Sequence, residues 1–111
     1  MSSGIDLKVV FFALILGATA LEVIGDIFFK KWVIENNNII LIFGFVIYFI
    51  GTILWAFSLR YEYLSKAISV LTILNLIAVV LVGVLYFKED LTLLNKIGIA
   101  LGIISVTLIE L

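Results

Sequence analysis

The chain has 111 residues, of which 65% are hydrophobic and 14% are charged, and its net charge is −1. Soluble domains are about half apolar and a quarter charged, so this is the composition of a membrane protein. The absence of Cys and His excludes disulfides, thiolate or imidazole metal sites and the common nucleophilic enzymes, and no basic cluster is large enough to bind nucleic acid.

Four apolar segments follow one another along the chain, separated by short polar connections. They lie at about residues 9–29, 39–59, 67–87 and 93–109. A bilayer core needs roughly 20 helical residues, so all four are predicted to span, the last only just. Backbone groups in hydrocarbon must be satisfied within each segment, which favours helices. We predict an all-α membrane protein in which residues 1–111 form a single four-helix transmembrane domain.

The beginning of the first segment resembles a secretory signal. Lys8 and an apolar stretch precede Ala18-Thr19-Ala20, which has the A-x-A pattern of a cleavage site. The apolar run continues past this point to Phe29, however. We therefore expect the segment to be retained as the first spanning helix.

Two acidic residues, Glu22 and Asp26, lie inside the first apolar run. An Asp at the centre of a spanning helix costs about 2.5–3.5 kcal/mol, and their i, i+4 spacing places both acids on one face. If the helix is centred near Thr19, Glu22 lies about 5 Å from the midplane. Because low dielectric and a nearby like charge both favour a neutral carboxyl group, Glu22 is predicted to exchange protons for a cation in a water-accessible cavity.

Structural roles remain open for both acids. A protonated Glu22 would serve as a hydrogen-bonding group in a helix interface. Asp26 is nearer the end of the helix, where it would reach the lipid headgroups or pair with Lys30 at i+4.

Helices two and three carry polar side chains at helical spacing, which makes them candidates to line a cavity opposite Glu22. They are Tyr48, Thr52 and Trp55 on the second helix and Ser69, Thr72 and Asn75 on the third. The alternative for the hydroxyls is ordinary hydrogen bonding between helices, worth about 0.6 kcal/mol each.

The fourth helix carries Gly98, Gly102 and Ser105, a spacing of small residues that lets two helix backbones approach closely. We expect a dimer contact here, with an intrachain contact as the alternative. Basic residues are nearly balanced across the membrane, with three on the N-terminal side and four opposite. This balance permits insertion in both orientations.

Two motifs carry a family resemblance. The first is the Glu22–Gly25 stretch EVIG followed by Lys30, and the second is the Phe87–Thr92 stretch FKEDLT followed by Gly98. With four helices and short loops over nearly its whole length, the chain resembles the small multidrug resistance transporters of the drug/metabolite transporter superfamily.

The resemblance implies an antiparallel, dual-topology homodimer in the cell membrane, with a contact through the fourth helices. It further implies that two copies of Glu22 form a shared central site without a cofactor. Protons would then drive the export of small cationic, often aromatic, compounds by alternating access.

Departures from the family pattern affect the expected substrate. Ser69 and Thr72 stand where the family's third helix carries Tyr and Trp, and Asp26 replaces a neutral residue. Losing aromatic partners removes cation–π contacts worth about 0.5–2 kcal/mol, although Trp55 remains as an aromatic candidate. A divergent member that handles smaller or more polar amines is expected.

Other functions remain as alternatives. Leu71–Asn75 is weakly similar to the third helix of small subunits of aminoarabinose-lipid flippases, which work with a second chain. A dual-topology fluoride channel has the same size, but an anion pore would not place carboxylates at its centre. A non-transporting four-helix subunit would tolerate the substitution Glu22→Gln. With no His, no Cys and no soluble face, an enzyme is not expected.

Overall fold

The four predicted helices are all present. A computed structural model of the chain describes residues 4–110, with side chains from residue 6 to residue 109. Within these residues the secondary structure is entirely helical. The helices are α1 (Gly4–Glu35), α2 (Asn38–Ser58), α3 (Leu64–Leu85) and α4 (Leu93–Glu110). The all-α fold is therefore confirmed.

Three of the helices, α1, α2 and α3, are long and apolar enough to cross a bilayer. The apolar part of α4, Leu93–Ile109, is shorter and measures about 26 Å at 1.5 Å per residue. The hydrocarbon core is about 30 Å thick. The lengths and composition of the helices thus support a multi-pass membrane protein, while the crossing of the membrane by α4 stays a prediction.

The first helix is longer at both ends than the predicted residues 9–29. It continues through Lys30 because the polar stretch up to Glu35 contains neither Gly nor Pro, the residues that break helices. The helix ends at Asn36, whose φ of 56° is left-handed and whose N–H donates to the carbonyl of Trp32 at 2.7 Å. Asn tolerates this conformation better than most residues.

A short turn of asparagines connects α1 to α2. The Asn37 side chain caps α2 by accepting a hydrogen bond from the Ile39 N–H at 3.0 Å. The Trp32 indole N–H donates to Oδ1 of Asn38 at 3.2 Å. The Asn37 bond satisfies a backbone N–H at the start of α2, and the Trp32–Asn38 bond links a side chain of α1 to one of α2.

Glycines form much of the contact between α1 and α2. A Cβ atom built on Gly44 would lie 2.8 Å from Cε1 of Phe29, and one built on Gly51 would lie 3.2 Å from the backbone oxygen of Ala18. On α1, a Cβ on Gly25 would lie 3.2 Å from the carbonyl oxygen of Gly44. A side chain at these positions would separate the helices, so the glycines permit the close packing.

The backbone contacts divide the chain into two compact units, one containing α1 and α2 and the other α3 and α4. In the second unit, α4 begins with a reciprocal cap between Thr92 and Asn95, whose two hydrogen bonds are each 3.1 Å long. A Cβ on Gly102 of α4 would lie 3.1 Å from Cδ1 of Ile73 on α3. The single four-helix domain stays a prediction.

Candidate functional site

Glu22 is buried near the middle of α1. Only 6% of its surface is exposed, and a Cβ on Gly51 of α2 would lie 3.1 Å from its Cγ atom. Because α2 has no side chain at this point, the stem of Glu22 fits against the backbone of α2. The acid is therefore enclosed by the chain and does not face the exterior.

Asp26 and Tyr48 lie close to Glu22. The carboxyl groups of Asp26 and Glu22 interact electrostatically, and the phenol of Tyr48 interacts with both. Tyr48 is positioned by Gly25, since a Cβ there would lie 3.1 Å from Cβ and from Cδ2 of Tyr48. Its ring centroid is 5.9 Å from that of Phe29. Two acids and an aromatic hydroxyl thus share one region of the α1–α2 pair.

Thr19, one turn before Glu22, is 7% exposed, and its hydroxyl has no hydrogen-bond partner. Other helical hydroxyls donate to a carbonyl of their own helix: Thr52 to Tyr48 at 3.0 Å, Ser69 to Ser65 at 2.8 Å and Thr107 to Ile103 at 3.0 Å. A buried hydroxyl without a partner costs about 1–3 kcal/mol. Thr19 therefore has hydrogen-bonding capacity that the chain itself does not use.

The other predicted lining residues of α2 are less enclosed. Thr52 is exposed, and it lies with Tyr48 in an outward-facing groove whose other walls include Phe45 and Phe49. Trp55 is half-buried and accepts a hydrogen bond from the Ser58 hydroxyl at its backbone oxygen, at 2.6 Å. Of the three predicted residues on α2, Tyr48 is the one that the structure brings to the acids.

The predicted lining residues of the second unit lie on α3. Ser69 and Thr72 of α3 share an open groove of about 310 Å³ with Ser105 of α4. Asn75 is half-buried, and its Oδ1 atom has no hydrogen-bond partner.

The two glycines of the predicted dimer contact differ from each other. Gly102 packs against Ile73 of its own unit, whereas a Cβ on Gly98 would have nothing within 4 Å. Space for a close approach is therefore present at Gly98.

Two residues of the site, Thr19 and Gly51, were not among the predicted site residues. Gly51 lies seven residues after Gly44 on α2, and this spacing places both on one face. That pattern signals close packing but does not reveal that Glu22 is the neighbour. Thr19 lies three residues before Glu22, and this spacing places it on the same helix face as the acids, but it does not reveal that the hydroxyl has no partner.

The site is not organised as a metal centre. Among the described residues, no group of three acidic side chains comes together in a way that would hold a metal ion. Its chemistry is that of two carboxyl groups, a phenol and an unpaired aliphatic hydroxyl, which suits protons and organic cations.

Comparisons of the chain with models of protein families, with curated proteins and with solved structures gave no match.

Proposed function

We propose that the chain is a proton-coupled exporter of small cationic or amine compounds that works by alternating access, with Glu22 as the site shared by proton and substrate. The observation that carries the proposal is a carboxyl group buried near the middle of a helix long enough to span a membrane. Acids in such positions are costly, and they commonly mark ion pathways.

Proton movement and substrate movement are coupled because a proton and a cation cannot occupy Glu22 at the same time. A proton and an organic cation each neutralise the carboxylate, so either occupied form avoids a bare charge in low dielectric. The ionised, empty form is disfavoured by the same effect. Binding a proton on one side of the membrane releases the cation there, and losing the proton on the other side opens the site to the next cation.

Asp26 and Tyr48 assist Glu22. The second carboxyl group adds negative potential where the substrate charge binds, and it interacts with Glu22 directly. Tyr48 offers a hydroxyl and a ring whose face attracts cations, worth about 0.5–2 kcal/mol. Phe29 and Phe45, with ring centroids 5.3 Å apart, extend the aromatic surface beside it.

The proposed working unit is an antiparallel homodimer in the cell membrane, as in the family that the sequence resembles. The near balance of basic residues on the two sides permits both orientations. The open space at Gly98 supports a close contact between α4 helices of two copies. In such a dimer, the two copies of Glu22 would face one shared pathway.

Transport into proteoliposomes driven by a pH gradient tests the proposal. Purified protein is assayed with quaternary ammonium, guanidinium and alkylamine cations, together with Glu22→Gln and the matched control Glu35→Gln, which changes an exposed acid on the same helix. We expect the native protein and Glu35→Gln to transport at least one cation, and Glu22→Gln to lose about 100-fold or more of the rate. Equal rates for the native protein and Glu22→Gln would favour a carrier subunit or a non-transporting role instead.

A further inference from the structure

Thr19 lies on the same side of α1 as the two acids. At about 100° per residue, Thr19, Glu22 and Asp26 fall within an arc of about 60° on the helix surface. In an α-helix the side chains tilt toward the N-terminus, so the carboxyl group of Glu22 extends back toward the level of Thr19. The buried Thr19 side chain and the Glu22 carboxyl group therefore lie on one face of α1, at neighbouring levels along the helix.

No hydrogen bond joins Thr19 to Glu22, because the Oγ1 atom of Thr19 has no partner. Two acceptors that bind the same ammonium nitrogen stand about 4.5 Å apart, since each lies about 2.8 Å from the nitrogen. A hydroxyl and a carboxyl group on one helix face, not bonded to each other, leave both acceptors available to such a nitrogen.

We propose that Thr19 is a ligand of the substrate site and that it selects ammonium ions carrying N–H groups, primary amines above all, over quaternary ammonium ions. This inference rests on the proposed function and specifies its substrate class. A primary ammonium has three N–H donors, of which one bonds the Glu22 carboxylate and another the lone pair of the Thr19 hydroxyl. A quaternary ammonium has no donor, so it is held by charge alone and leaves Thr19 unpaired.

The hydrogen bonds that the substrate donates explain why the site would prefer primary amines to quaternary ammonium ions. A site that hydrogen-bonds its ligand rejects an analogue that lacks the bonding group, because the buried partner is then left unsatisfied. Asp26 lies one turn beyond Glu22 and contributes charge to both classes of cation. The hydroxyl of Thr19 therefore adds to the discrimination that the hydrogen bond accepted by Glu22 provides.

The test is equilibrium binding, measured by isothermal titration calorimetry on the full chain in detergent. The two probes are butylammonium and tetramethylammonium, which are isomers with the same charge. The variants are Thr19→Val, which keeps the shape but removes the hydroxyl, Thr19→Ser, which keeps the hydroxyl, and Glu22→Gln. Thr107→Val is the matched control, since its hydroxyl is satisfied by the carbonyl of Ile103.

We expect the native protein to bind butylammonium at least about tenfold more tightly than tetramethylammonium, because the hydrogen bond to Thr19 adds to the one that Glu22 accepts. Thr19→Val should weaken butylammonium binding about tenfold and leave tetramethylammonium unchanged. Thr19→Ser and Thr107→Val should keep the native preference. Thr19→Ala replaces Thr19→Val in the comparison if the latter loses its helical circular dichroism.

Several results would overturn the inference. They are unchanged butylammonium binding in Thr19→Val, an equal loss for both cations, or a native preference for tetramethylammonium. If Glu22→Gln abolishes binding while Thr19→Val has no effect, the inference about Thr19 fails and the exporter remains. If the native protein binds neither cation, or Glu22→Gln binds both normally, the proposed function and the inference about Thr19 both fail.

Discussion

The two helix pairs of this chain differ in whether they enclose an acidic side chain. In the α1–α2 unit the carboxyl group of Glu22 is enclosed and the hydroxyl of Thr19 has no partner. In the α3–α4 unit, Ser69 and Thr107 bond carbonyls of their own helices, and the unpaired polar atom is the amide oxygen of Asn75. α3 contains no acidic residue at all. Among the described residues, the buried carboxyl group thus lies in the first unit.

The packing around the glycines also differs between the two units. Glycines at Gly44 and Gly51 bring α1 and α2 into close contact, whereas Gly98 of α4 lies in open space. Close packing fixes the position of side chains, and a binding site needs ligands held in place. The acids therefore lie beside closely packed glycines of α2, while α4 has open space at Gly98.

The largest effect is expected on thermal stability, from a side chain added at Gly44 in the contact between α1 and α2. In Gly44→Ala the new methyl group would lie 2.8 Å from the Phe29 ring and 3.2 Å from Cβ of Phe28. Overpacking of this kind costs about 1–3 kcal/mol, so thermal unfolding in detergent, followed by circular dichroism, should shift to lower temperature.

Gly83→Ala is the matched control for this prediction. Its methyl group would lie 2.5 Å from Oε1 of Glu89, the end of a flexible side chain that can move away. Removing a helical glycine then stabilises the helix by up to about 1 kcal/mol. If both variants unfold at the native temperature or above, the contact between α1 and α2 is not as close as described.

A smaller effect is expected from Asp26→Asn, which removes one charge from the site but leaves Glu22 in place. A unit charge about 8 Å away contributes between about 0.5 kcal/mol in water and 2 kcal/mol at an effective dielectric of 20. Amine affinity should fall about fivefold in a calorimetric titration, with transport retained. A loss as complete as that in Glu22→Gln would make Asp26 an equal partner, and no loss would remove it from the site.

The smallest effect is expected at Gly51, where an added methyl group would press on the stem of Glu22. It would lie 3.1 Å from Cγ of Glu22 and 3.2 Å from the backbone oxygen of Ala18, so the Glu22 side chain and the backbone of α1 must both move by a few tenths of an ångström. We expect Gly51→Ala to bind amines about threefold more weakly, measured by the same titration. A fully native affinity would show that Glu22 does not depend on this contact.

Much of the fold could be predicted from apolar segment lengths, because a bilayer core requires about 20 helical residues. The extension of α1 to Glu35 could not be predicted in this way, because the length of an apolar segment indicates the part that spans the membrane and not the residue at which the helix ends. That end depends on the left-handed conformation of Asn36. Polar helix turns outside the hydrocarbon are equally stable when their residues favour helix.

The site could be predicted only in part. The position of Glu22 and Asp26 within one apolar run identified both acids from the sequence alone. The contact of Glu22 with Gly51 depends on the register of α1 against α2, which is a tertiary property. The Thr52 hydroxyl bonds a carbonyl of its own helix, whereas that of Thr19 does not. The spacing of residues along a helix does not predict this difference either.

The most direct test of the central claim is proton release on amine binding. Purified protein in weakly buffered detergent solution, at a pH where the site is protonated, is mixed with a saturating alkylamine while a pH indicator is recorded. If proton and cation exclude each other at Glu22, the native protein and Glu35→Gln release protons as the amine binds, and Glu22→Gln releases none. Tight amine binding by the native protein without proton release, or equal release from Glu22→Gln, would contradict the exchange mechanism.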